Sequence, residues 1–378
     1  MTAAGSNLNK LNRTTALLLG VAVVGALAFA VGVEQRPTQT WKIFLVNFLF
    51  WSGISISGVV FSAIFQLTNA RWAARQVRTV AESFACFLPL SLLLYLLLVL
   101  AGAASLYPWI ADPPAARAGW FSLPFLALRD GIALLLLYGV GGKFLLASRQ
   151  NRREESPRPA NLSALAVLTI VLYALVFSLV TIDLVMSLDP YWVSTLFPAY
   201  FFMGNLCLGI AALAAASFLW RRWTGVEEWL SDAAAHDLGK LLLGFSLLWT
   251  YLLWSQFIVI WYGNLPEELR FLVVRTTGSW GVLSWIVLTM CFVIPFTALL
   301  TRRMKRPAPL FVIALITVVG IWLERFWLVV PSPENSPAFS WVDILITLGF
   351  LALFALSQVF LGPRLGAPFS DKPLTELK

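Results

Sequence analysis

Six charged residues lie where the surrounding sequence is apolar: Glu82, Arg129, Asp130, Asp183, Glu324 and Arg325. In a lipid-embedded helix each such group costs about 2.5–3.5 kcal/mol on insertion scales, and such groups usually face the bundle interior. A desolvated carboxyl among them can take up and release a proton, so the chemistry these residues could do is proton transfer. The alternative is a static interhelical ion pair that fixes packing. Adjacent helical residues point about 100° apart, so Arg129 is not expected to pair with Asp130, nor Arg325 with Glu324. Each is expected to find its partner on another helix.

A second pattern is a small and polar stripe. Lys240, Gly244, Tyr251, Ser255 and Tyr262 fall within about 60° of one another at 3.6 residues per turn. Thr317, Gly320 and Glu324 share a face in the same way. Such stripes carry water and protons, or they let helices approach closely. Metal and haem chemistry are poorly served. Cys86, Cys207 and Cys291 sit in apolar runs at no ligand spacing and read as packing residues, and His236, the single histidine, lies in an expected polar loop. No metal site and no cofactor bound by this chain is expected.

The elements that must position these side chains follow from composition. With 59% hydrophobic and 12% charged residues among 378, the chain falls far from the roughly 25% charged content of soluble proteins. Apolar runs long enough to cross a hydrocarbon core predict ten helices at 14–33, 43–68, 80–104, 121–147, 161–187, 192–220, 240–263, 279–301, 308–330 and 341–362. The first, preceded by Lys10 and Arg13, has the outline of a signal peptide, but its apolar run is too long and it is read as a retained helix. Of the Lys and Arg residues in the connections, 20 fall on one side and 5 on the other. By the positive-inside rule both termini are cytoplasmic, as is the 149–158 connection, while 264–279 is extracytoplasmic. The formal charge of +8 is thus explained by orientation, and nothing accompanies it that would bind nucleic acid.

Hydropathy also suggests a parallel duplication, giving an all-α polytopic fold with two four-helix bundles, helices 2–5 and 6–9, flanked by helices 1 and 10. The corresponding segments are 1–40, 41–190, 191–331 and 332–378. Asp183 and Glu324 occupy the fifth and ninth helices, corresponding members of the two bundles.

Two stretches carry more than composition. Asp183-Leu-Val-Met-Ser-Leu-Asp-Pro-Tyr-Trp-Val-Ser-Thr-Leu-Phe-Pro-Ala-Tyr-Phe-Phe202 is one. The other runs from His236-Asp-Leu-Gly-Lys240 through Trp249, Tyr251, Ser255-Gln256 and Trp261-Tyr-Gly-Asn-Leu-Pro-Glu-Glu268. Both resemble the membrane subunits of alternative complex III, a bacterial quinol-oxidising complex, and specifically the smaller of its two NrfD-like subunits. The resemblance implies an inner-membrane, multi-pass subunit of a respiratory or photosynthetic electron-transfer complex. Menaquinone or another quinol would be oxidised at the larger NrfD-like partner, with iron–sulfur clusters and c-type haems in further partner subunits. This chain would support proton translocation and assembly. Asp183, Tyr200, His236, Asp237, Gln256, Asn264, Glu267 and Glu268 fall within the matching motifs, whereas Arg129, Asp130, Glu324 and Arg325 lie outside them. Two other functions suit ten helices, a secondary transporter and a purely structural scaffold. Transport is the weaker, because most prolines lie at span ends, with Pro89, Pro124, Pro198 and Pro295 as exceptions.

Overall fold

A computed structural model describes residues 2–70, 75–114, 117–153, 160–331 and 337–362, with the side chains at 2–12, 75, 153, 160 and 267 left aside. Among the described residues there are helices and turns but no strand, and ten helices are long and apolar enough to span a membrane. They are α1 (Arg13–Gln35), α2 (Pro37–Leu67), α3 (Gln76–Leu106), α4 (Leu123–Arg152), α5 (Asn161–Leu188), α6 (Phe197–Thr224), α7 (Glu227–Gly263), α8 (Gly278–Leu299), α9 (Pro307–Val329) and α10 (Trp341–Leu361). The architecture is all-α and polytopic. Its periphery is apolar: Leu93, Leu100, Leu128, Leu146 and Leu175 are all largely exposed, as side chains that meet lipid tails must be.

Helix ends depart from hydropathy where local chemistry sets them. Pro37 and Pro198 stand in the first turns of α2 and α6, where a missing N–H is harmless and a fixed φ favours the helix. Residues 189–196 accordingly turn outside α6 instead of opening it. Ser231 caps the main body of α7, its side chain accepting from the Ala234 N–H. That cap pulls His236 and Asp237 into the first turns of α7, not into the expected polar loop. Helix α3 contains a tight turn at Phe84–Phe87 and a widened one at Leu98–Gly102, and α8 has a widened turn at Thr289–Val293. The connection after α7, expected to be a loop, holds a short helix, Pro266–Thr276.

Helices α2, α3, α4 and α5 pack in sequence and close into a ring through α5 on α2, and α6 to α9 close in the same way through α9 on α6. The rings join where α2 meets α6, flanked by α5 on α6 and α9 on α2. Exchanging α2 with α6 and α5 with α9 maps these three contacts onto one another, so the packing at the junction is pseudo-symmetric. Small residues make the central crossing possible. A Cβ at Gly209 would lie 2.3 Å from Ser57 Cβ, and one at Gly53 would lie 2.6 Å from Asn205 Oδ1. Ser57 Oγ also donates to the Asn205 carbonyl at 2.8 Å. Helices α1 and α10 form a separate pair against α2, touching at Gly25 and Gly349, where a Cβ on Gly25 would meet the Gly349 Cα at 2.6 Å.

Candidate functional site in two buried charge clusters

The first bundle holds its cluster near the far face, where α3 and α5 end. Arg129 on α4 reaches Asp183 on α5, with Nε donating to Oδ2 at 2.8 Å and NH2 at 2.6 Å from the same oxygen. Trp120 Nε1 donates to Asp183 Oδ1 at 3.0 Å. The guanidinium lies over the rings of Trp120 and Phe125, at 3.8 and 4.4 Å from their centroids, a desolvated cation–π arrangement. Arg129 thus has its partner on another helix, as expected.

Asp130 is different. It is fully buried, and among the described residues neither carboxyl oxygen has a hydrogen-bond donor. Its carboxyl faces that of Asp183, and Tyr95 and Tyr107 lie within electrostatic range of both. Those hydroxyls are committed elsewhere, Tyr95 to the Leu126 and Ala127 carbonyls and Tyr107 to the Leu184 carbonyl. The cluster therefore sets one arginine against two aspartates.

The second bundle corrects an expectation. Arg325 does pair with its neighbour: NH1 donates to Glu324 Oε2 at 2.7 Å, with both side chains wholly buried on α9. The Cα–Cβ directions diverge, but the long arginine side chain curls back and is held there from α6. NH2 donates to Asn205 Oδ1 at 2.9 Å and to the Phe201 carbonyl at 3.2 Å, and the guanidinium lies 3.7 Å over the Phe201 ring. Gly204 makes room, since a Cβ there would lie 3.1 Å from NH2. Glu324 Oε1 is without a hydrogen bond among the described residues, as are the Tyr200 hydroxyl and the Trp249 indole N–H that face it.

Glu82 lies two turns into α3 instead of opening it, and its carboxylate is saturated. Oε1 accepts from Ser62 at 2.9 Å and Arg152 at 2.7 Å, while Oε2 accepts from Arg149 and Arg152, each at 2.8 Å. A carboxylate held by two arginines and a hydroxyl ties α2, α3 and α4 together at the end opposite Asp183. The arrangement is that of a static clamp.

The stripe on α7 is turned the wrong way for an interior path. Tyr251 and Tyr262 are 64% and 84% exposed, Lys240 and Gly244 are also exposed, and only Ser255 is half-buried. Lys240 pairs with Asp237 at 3.1 Å on that outer surface. The buried face of α7 runs through Leu238, Leu242, Ser246, Trp249, Leu252, Gln256 and Ile260, about 150° around the helix at 3.6 residues per turn. Of the α9 series, Gly320 is a contact site, where a Cβ would lie 2.8 Å from Cys291 Sγ and from Met290 Cβ. Thr317 donates to its own helix at Ile313.

The remaining motif residues scatter. Tyr200 and Gln256 are buried and face a common cavity. Asn264 takes a left-handed conformation (φ 48°) and ends α7, its N–H donating to the Ile260 carbonyl, a role asparagine tolerates well. His236 and Glu268 are half-buried at opposite ends of the molecule, and the Glu267 side chain lies outside the described set. So do residues 154–158 of the expected cytoplasmic connection.

Sequence reasoning missed two buried groups. Asn205 is one, bridging the bundles. Arg275 is the other, buried at the end of the connecting helix. Its NH2 donates to the Leu328 carbonyl at 2.7 Å and NH1 to Phe271 at 3.0 Å, while its own carbonyl accepts from Trp327 and Ser284. Burial pulls its pKa below the ordinary value, opposed by the charge of Asp189. It read from sequence as a loop cation, because the helix that buries it has no apolar run of spanning length.

Beside the first cluster a far-face recess of about 320 Å³ is lined by Arg117, Trp120, Ser187, Asp189 and Trp192. Trp120 is both part of its wall and a donor to Asp183. No protein-family model and no curated protein matches this sequence.

Proposed function

We propose that this chain is a proton-handling membrane subunit of a quinol-oxidising electron-transfer complex of the alternative complex III kind. The observation that carries the proton-handling part is the uneven charge of the first cluster. Two buried carboxyls that face each other beside one guanidinium cannot both ionise comfortably, so the pair holds one proton between them. The recess next to Trp120 offers that proton an exit one side chain away. Glu324, with one oxygen uncommitted, is a second candidate carrier in the corresponding helix of the other bundle. Glu82 and the outward α7 stripe are left out of the path, since the one is saturated and the other faces away from the interior.

The wider assignment rests on the two resembling motifs and on the charge asymmetry of the connections. They support a bacterial inner-membrane subunit with cytoplasmic termini, whose iron–sulfur, haem and larger NrfD-like partners carry the redox chemistry. Purification of the native protein in mild detergent tests this. Multihaem and iron–sulfur proteins should accompany the chain in fixed ratio, and quinol addition to the reconstituted assembly should release protons with a yield that changes in Asp183→Asn. A chain that purifies without redox partners, or an assembled Asp183→Asn complex with unchanged proton yield, contradicts the proposal.

A further inference from the structure

Corresponding corners of the two bundles differ in charge. Where α3 begins and α4 ends, Arg149 and Arg152 meet a carboxylate, Glu82. The corner where α7 begins and α8 ends is on the same side of the molecule, since the first turns of α3 touch Glu227–Leu230 at the start of α7. Here the connection from α8 to α9 carries Arg302, Arg303, Lys305 and Arg306, and the sequence has no acidic residue between Glu268 and Glu324. Among the described residues none of these four side chains has an ion pair or a hydrogen bond.

The cations converge on α7. Lys305 lays its stem against Gly239, where a Cβ would lie 2.9 Å from the lysine Cγ, and Lys240, Lys305 and Arg302 are all within electrostatic range of His236. Asp237, the acid that adjoins them, is already paired with Lys240 at 3.1 Å, while Glu227 and Asp232 face Arg221. Orientation in the membrane asks only for a count of cations on one side. It does not ask for their convergence without counter-charges. Like charges held so close repel one another, and an anion placed between them removes that repulsion.

The corner lies at the border of the apolar region. Only residues 300–306 separate α8 from α9, and Leu300 and Met304, 59% and 43% exposed, stand among the cations. One turn along from Lys240, Gly244 leaves a notch, with nothing within 4 Å of where a Cβ would be, and the exposed Leu247 and Leu248 continue from it. A small inorganic anion has no use for that apolar track, whereas a phospholipid fills both parts. We infer that this corner binds an anionic phospholipid, its phosphate among Lys240, Arg302 and Lys305 and an acyl chain running over Gly244 along α7. Basic pockets at the ends of spanning helices hold lipid headgroups in this way. The lipid supplies to the second bundle the negative charge that Glu82 supplies to the first, and the site is independent of the proton-holding pair.

The test uses the full-length chain in nanodiscs of phosphatidylglycerol and phosphatidylcholine in equal amounts, with the retained lipids read by native mass spectrometry after release. Retention of phosphatidylglycerol over phosphatidylcholine is expected, and Arg302→Gln/Lys305→Gln should lower that preference about tenfold. Arg13→Gln/Arg222→Gln, which removes two exposed cations of α1 and α6 outside the corner, should change it by less than about twofold. His236→Glu sets a carboxylate beside the cations, as Glu82 does in the first bundle, and should also abolish the preference while leaving the thermal midpoint of the chain intact. No preference in the parent chain, a preference that survives Arg302→Gln/Lys305→Gln or His236→Glu, or an equal loss in the two double variants would each overturn the assignment. Displacement of the lipid by excess inorganic phosphate would do so as well, by making the corner a site for a free anion.

Discussion

The two bundles solve the same problem, a charge in lipid, with different accounting of protons. In the second, Glu324 and Arg325 cancel within one helix, and Asn205 and the Phe201 carbonyl and ring hold the guanidinium from α6, leaving its Nε without a partner among the described residues. In the first, Arg129 is shared between helices and faces Asp183, while Asp130 stands beside them with no donor among the described residues. A balanced pair needs no proton to be neutral; an unbalanced triad does. A similar packing of the two bundles thus coexists with unequal protonation capacity, and a corresponding helix position does not by itself assign a role.

The sharpest way to break this contrast is to remove each arginine in turn. Arg325→Met strands a buried carboxylate and should cost about 3–5 kcal/mol, measured by denaturant unfolding of the full chain in detergent. Arg129→Met should cost less, about 1.5–3 kcal/mol for its charge-assisted bonds, because the two aspartates can take up a second proton. Equal losses would dissolve the distinction. Next in size, Gly209→Ala drives a Cβ against Ser57 at the junction of the bundles and should cost about 1–3 kcal/mol by overpacking. A lower thermal midpoint with intact helicity checks it. Asp130→Asn removes the proton-holding partner of Asp183 and should change stability by less than about 1 kcal/mol, well below the 1–3 kcal/mol typical of a lost buried partner. Smallest of all, Tyr251→Phe and Tyr262→Phe lie on the exposed face and should stay within about 0.5 kcal/mol of the parent chain.

Much of the fold was legible in the sequence because a spanning helix is written in consecutive apolar residues, which needs no knowledge of neighbours. Helix starts such as Pro37 and Ser231 were less so, since they depend on capping chemistry that hydropathy ignores. For the candidate site, the interhelical reach of Arg129 was legible and the Glu324–Arg325 contact was not. The rule that adjacent residues diverge holds for Cβ directions, but a guanidinium several bonds out can return when another helix, here α6 with Gly204 and Asn205, forms its socket. The α7 stripe failed for a related reason. Periodicity identifies a face, and only the packing partners decide whether that face looks inward. Arg275 and the cavity lined by Phe271, Leu272 and Thr276 depend on the connecting helix Pro266–Thr276, whose burial comes from tertiary contacts that no local pattern announces.

Infrared spectroscopy of the protonated carboxyl C=O stretch reads the proton on the first cluster most directly. At neutral pH the full-length protein should show a band from a buried carboxylic acid that disappears in Asp130→Asn, where Asp183 is left ionised opposite Arg129, and persists in Glu324→Gln. No such band in the parent protein, or one that survives Asp130→Asn and vanishes in Glu324→Gln, would contradict a proton held between Asp130 and Asp183.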